Sequence, residues 1–190
     1  NNLQNFPTVD SAYVNGTTGS ADLTVQFDVD SLNVGTTGSL RVEVFKADTS
    51  VTNPEGLTFL GFQCYAGNSL SNSTQTITAA GVVPGNKIVL TATSYTDTTC
   101  TTINDGTSEF SPGAIVGLKP GIVGYTNNSG AGSLAQAIAD ANSGACTAPC
   151  TITFNIPLAD PGFSGGVFTI TPLTGLSAIE ASDTKLDATT

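Results

Sequence analysis

The sequence predicts an all-β chain with one short helix: an antiparallel sandwich over residues 1–118, then a short solenoid segment over residues 119–190. Three observations point there. Apolar and polar residues alternate in about seven short runs separated by Gly and Pro turns, the pattern of a sandwich. Only one stretch has helical period. Phe154, Ile170 and Leu186 fall at an even step of 16 residues, as coils of a solenoid would.

The first strand is the clearest. Ala21, Leu23, Val25, Phe27 and Val29 alternate with Asp22, Thr24, Gln26 and Asp28, which predicts one buried and one wet face. A turn cluster, Asn33-Val-Gly-Thr-Thr-Gly38, follows. Leu40, Val42 and Val44 then alternate with Arg41, Glu43 and Phe45. A third strand is expected from Leu57 to Tyr65, with Leu60, Phe62 and Cys64 on one face. Shorter strands are expected over Thr74–Ala79, Lys87–Tyr95 and Ser108–Val116, with Val83-Pro84-Gly85 as a turn. Asn1 to Val14 reads as extended and free of any hairpin. Composition shifts at Gly117-Leu-Lys-Pro-Gly121, which predicts a linker. Leu134, Ala137, Ile138 and Ala141 then share a helical face, with Ser133 as N-cap and Gly144 past the end.

Composition narrows the function. The chain carries 15 acidic residues, 5 basic ones and no His, for a net charge of −10. Without His, Ser-His-Asp and Cys-His catalysis are excluded, and zinc and copper sites lose their usual ligand. Five scattered cations cannot neutralise a phosphate backbone, so no nucleic-acid partner is expected. No apolar run reaches the ~18 residues of a membrane span. The start lacks signal-peptide character, and with no initiator Met the expectation is a processed chain or a cut fragment.

Cys64, Cys100, Cys146 and Cys150 form an even set in a chain rich in Ser and Thr, which predicts extracellular disulfides. Three connectivities are possible. Cys64–Cys100 with Cys146–Cys150 is favoured because each bridge then stays inside one segment. The first would contribute roughly 3–4 kcal/mol on the chain-entropy model. Sequons at Asn15, Asn72 and Asn127 allow glycosylation. No catalytic residue, cofactor or metal site is assigned. Calcium is the one ion considered, through Asp28 and Asp30, or Asp97 with Asn104 and Asp105. Strand-surface and loop aspartates account for them more simply. Asp160, Glu180, Asp183, Lys185 and Asp187 are the candidates for polysaccharide chemistry, and a solvated strand edge outweighs it. Tyr13, Tyr65, Tyr95 and Tyr125 could stack on sugars, but sheet packing is the plainer role.

Two stretches resemble known families. Thr58-Phe-Leu-Gly61, Val83-Pro-Gly85, Ile88 to Thr93 and Thr107-Ser-Glu-Phe-Ser111 resemble an immunoglobulin-like module of large bacterial surface proteins. Thr96-Asp-Thr-Thr-Cys-Thr-Thr-Ile103 is an insertion relative to it, so the Cys100 bridge would be a local addition. Asn128-Ser-Gly-Ala-Gly-Ser-Leu-Ala-Gln-Ala-Ile-Ala-Asp-Ala-Asn142 is similar to the N-terminal cap of right-handed parallel β-helix surface proteins. Thr151-Ile-Thr-Phe-Asn-Ile-Pro157, Phe168-Thr-Ile-Thr-Pro-Leu173, Leu176 to Ile179 and Leu186-Asp-Ala-Thr-Thr190 are similar to its first rungs. Ala135 stands where that family has Arg. The resemblance implies an extracellular, cell-surface protein without catalysis. A few coils with no cap at the C-terminal side imply self-association, by strand pairing or head-to-tail stacking into a filament, with Asn1 to Val14 as strand donor. A fragment of a long surface adhesin is the alternative, and an accessory piece of a polysaccharide-degrading enzyme stands behind both.

Overall fold

The computed structural model describes residues 4–30, 38–50, 53–67, 69–78 and 80–189, the side chain of Asp105 excepted. The chain is mostly β with one helix among these residues. The strongest alternation gives β2 (Leu23–Asp30), which buries Leu23, Val25, Phe27 and Val29. It pairs antiparallel with β1 (Thr8–Val14) and β5 (Ser69–Ile77). The second sheet is built on β3 (Ser39–Asp48), between β4 (Glu55–Ala66) and β6 (Lys87–Tyr95). The inward residues Leu40, Val42 and Val44 of β3 and Ile88, Leu90 and Ala92 of β6 meet those of β2 in one core. Burying each such Val or Leu side chain contributes about 1.5–3 kcal/mol, so this interior holds the two sheets together.

β7 (Ile103–Thr107) extends the second sheet beyond β6, and β8 (Ala114–Ile115) also pairs with β6. Of the strand expected over 108–116 only β8 forms, and residues 108–113 ahead of it are not a regular strand. The segment instead runs beside β6 with serine hydroxyls as acceptors. Ser108 Oγ takes the Ala92 amide at 3.0 Å, and Ser111 Oγ takes the Leu90 amide at 2.9 Å. The expected turn at 33–38 lies, Gly38 apart, outside the described residues, as does Ala79.

Three further expectations are corrected. Val14 and its neighbours are not free: β1 sits between β2 and β9 (Gly117–Leu118), with which it pairs in parallel. A register shift between Val9 and Ser11 breaks its alternation, which hid the strand in the sequence. The linker is likewise built in, because Gly117–Leu118 is β9 and the Lys119 amide donates to Val14 O at 2.9 Å. Finally, Leu60 does not share a face with Phe62 and Cys64. A shift between Val44 and Phe45 makes it a bulge that packs inward against the core.

Beyond the linker, β10 (Ile122–Val123), β11 (Thr151–Phe154) and β14 (Lys185–Asp187) form a parallel sheet in that order. Ser133 caps α1 (Leu134–Ser143), accepting from the Gln136 amide, and Gly144 ends it in the left-handed region. Ala137, Ile138 and Ala141 bury against Val123, Cys150 and Ile152 in a second core. β12 (Phe163–Ser164) and β13 (Val167–Phe168) make a small hairpin. The rungs do not stack at 16 residues. Ile152 partners Leu186, about twice that step, and Ile170 lies outside any strand, packed against the second core.

Candidate functional site

The last coil, residues 157–189, is where the chain departs most from an ordinary globular surface. Every residue from 171 to 180 is exposed. Leu158, Val167, Leu173, Leu176, Ile179 and Leu186 are 40–82% exposed. So many exposed large apolar side chains in one segment make it a candidate interaction face.

Backbone geometry adds an open edge. The Lys185 amide donates to Cys150 O at 2.8 Å, so that residue faces β11. Alternation along a strand then turns the Leu186 N–H and C=O the other way. β14 is the terminal strand of its sheet, and this edge has no partner among the described residues. Lys185 is paired with Asp187 at 2.9 Å, which neutralises the one cation placed to guard the edge.

Two asparagines hold the coil in place. Asn142, at the end of α1, donates from Nδ2 to Ala178 O at 2.8 Å. Its Oδ1 accepts the amides of Glu180 at 2.8 Å and Ala181 at 3.3 Å. Asn128 Oδ1 accepts the Leu173 amide. Asp160 ties the start of the coil to Thr126 and to the Gly162 amide. Burial pushes its pKa up, but the bonds from Thr126 and Gly162 outweigh this and leave it below the usual carboxylate range.

Several of the acidic candidates make structural hydrogen bonds. Asp187 accepts from Thr189 and Lys185, which lower its pKa to about 2. Asp183 sits in a turn at φ +57 rather than on the Lys185–Asp187 face. Asp97 accepts from the Thr99 hydroxyl and the amides of Thr99, Thr101 and Thr102, and so shapes the loop that carries Cys100. Asp28 accepts the Asn72 amide at 2.6 Å. Asn104 is 3.5 Å from Ser94 Oγ, and the Asp105 side chain lies outside the described residues. Among the described residues no three His, Cys, Asp or Glu side chains gather as a metal site.

Cys64 faces Cys100, and Cys146 faces Cys150, both at disulfide distance, with Cα separations of 6.2 and 5.5 Å. The first pair ties edge strand β4 to the loop after β6. Gly121, at φ +85, passes under the second, where an added Cβ would meet Cys146 Sγ at 2.8 Å. Asn15, Asn72 and Asn127 are exposed. Tyr65 packs edge-on against Phe27 at 5.6 Å, and burial pushes its phenol to about 12. Tyr95 is buried, while Tyr13 and Tyr125 are half-buried.

Residue patterns did not single out the asparagine clamps or the outer face of β4, where Leu57, Phe59 and Phe62 are at least half exposed. Arg41 lies 3.9 Å from the Phe62 ring centre. The alternation of Leu57 and Phe59 was a usable signal, and the asparagines left none. No helix among the described residues is long and apolar enough to cross a membrane. No family model matches the chain, and no curated protein matches it. What is established is therefore a mostly-β chain of several sheets with two cysteine pairs at disulfide distance.

Proposed function

We propose that the chain is a structural, non-catalytic part of an extracellular or cell-surface protein, with an immunoglobulin-like sandwich followed by the start of a parallel β-helix. It assembles by strand pairing at the open coil. One observation carries this reading: the edge of β14 that has no partner among the described residues lies in the same coil as several exposed apolar side chains. The occupant that matches such an edge is another β-coil, which offers backbone partners and an apolar layer together. For this chain in solution that coil comes from a second copy. The two cysteine pairs and the exposed sequons support an oxidising, extracellular setting.

The alternative, one module of a long adhesin, gains support from β1. A strand held between β2 and β9 is not available for donation to a neighbour. Sedimentation of the chain against a Leu176→Lys/Leu186→Lys variant tests the assembly. The proposal expects concentration-dependent association of the first and a monomeric, folded second. A chain that stays monomeric at millimolar concentration removes the self-assembly reading.

A further inference from the structure

A cleft of about 740 Å³ lies where the sandwich meets the coil segment. Its walls come from both parts: Ser11, Tyr13 and Gln26 on β1 and β2, Lys119 after β9, and Thr151 and Thr153 on β11. The size is that of a small-molecule site, and such sites favour junctions between packed units. Its polar groups are largely unspent. The Ser11 hydroxyl reaches Gln26 Oε1 at 3.3 Å, which leaves Gln26 Nε2 free. Among the described residues the Tyr13 hydroxyl, the Lys119 ammonium and the hydroxyls of Thr151 and Thr153 engage no other protein group.

The cleft also opens onto a flat polar surface. Inward residues of β2 fill the core, so their neighbours face out. Register places Tyr13, Thr24 and Thr76 in one cross-strand row, and Ser11, Gln26 and Thr74 in the next. Hydroxyls and an amide thus continue from the cleft across three strands, with Tyr13 lining the cleft itself. Rings of this kind offer an apolar face beside a polar edge.

We propose that this cleft and the adjoining face of the first sheet bind an uncharged oligosaccharide. The chemistry fits on three counts. Many neutral donors and acceptors converge where a sugar would present hydroxyls of both kinds. The half-buried Tyr13 ring provides a surface for the apolar face of a pyranose. The net charge of −10 repels polyanions, and one lysine cannot offset it. Lys119 then acts as a hydrogen-bond donor to sugar oxygens rather than as a counter-ion.

The test is protein-observed NMR with cellohexaose, xylohexaose and chitohexaose, and with hexagalacturonate as the anionic probe. At least one neutral hexasaccharide is expected to give saturable shifts confined to Tyr13, Gln26, Thr151, Thr153 and their neighbours. Thr153→Val keeps the shape of the side chain and is expected to weaken binding severalfold. Tyr13→Leu is expected to weaken it at least tenfold, with the unchanged spectrum of distant core residues certifying the fold. Lys119→Met removes the donor while keeping an unbranched stem, and is expected to weaken binding severalfold. The proposal is overturned if no neutral probe shifts the cleft at millimolar concentration or if the shifts fall elsewhere. Binding of hexagalacturonate alone, abolished by Lys119→Gln, would overturn it equally.

Discussion

Asn142→Ala should loosen the last coil and leave the sandwich untouched. The side chain makes three bonds to the coil backbone, at 2.8, 2.8 and 3.3 Å. A net hydrogen bond contributes about 0.5–1.5 kcal/mol, and these are exposed and compete with water, so a total near 2 kcal/mol is expected. Since about 1.4 kcal/mol is a factor of ten, local opening should become about thirtyfold more frequent. Amide hydrogen exchange reads this directly. The Glu180 and Ala181 amides lose their acceptor outright, and Lys185, further along the coil, should follow. Leu90 and Val42, in the sandwich core, should keep their wild-type rates. Unchanged exchange at Glu180 and Ala181 would refute the clamp. Equal acceleration in the sandwich would refute its locality.

Three other outcomes follow from the same geometry. Deleting residues 1–14 should abolish cooperative unfolding of the sandwich in a thermal melt, because β1 joins β2 to β9; a folded truncated chain would mean that β1 is dispensable. Ser111→Ala should cost about 1–3 kcal/mol in denaturant unfolding, since the buried Leu90 amide loses its side-chain acceptor. Asp160 has its folded pKa below the ordinary carboxylate value, so its contribution is fully present above about pH 4 and fades as pH falls through the lower folded value. Exchange at the Thr126 and Gly162 amides should therefore rise as the pH is lowered below about 4, relative to other amides and after correction for intrinsic rates. A flat profile would contradict that role.

Some elements were legible because one physical signal dominated. β2 alternates without interruption, and β6 runs Lys87–Tyr95 as expected. α1 carries its caps in plain sequence, with Ser133 before it and Gly144 after it. Other elements were obscured by local irregularity. A register shift broke the pattern of β1, and a bulge at Leu60 turned one expected core residue away from its neighbours. Along 108–111 the serines satisfy β6 through side chains, which hydrophobic pattern cannot reveal. The true spacing between paired strands is hidden in the sequence because Ile170 falls midway between Ile152 and Leu186 without being in a strand. The candidate assembly face was legible as an imbalance, apolar rungs without lysine guards, but its asparagine clamps depend on contacts distant in sequence.

Assembly through the open edge of β14, as proposed, can be read at that strand itself. The Leu186 amide reports on it, because it points away from β11. Its hydrogen exchange should be measured from low micromolar to millimolar protein. Rapid exchange is expected in dilute solution and growing protection as copies associate, with Leu176→Lys abolishing the protection. A Leu186 amide that exchanges freely at every concentration, in a chain that nevertheless associates, would place the contact elsewhere and contradict the account.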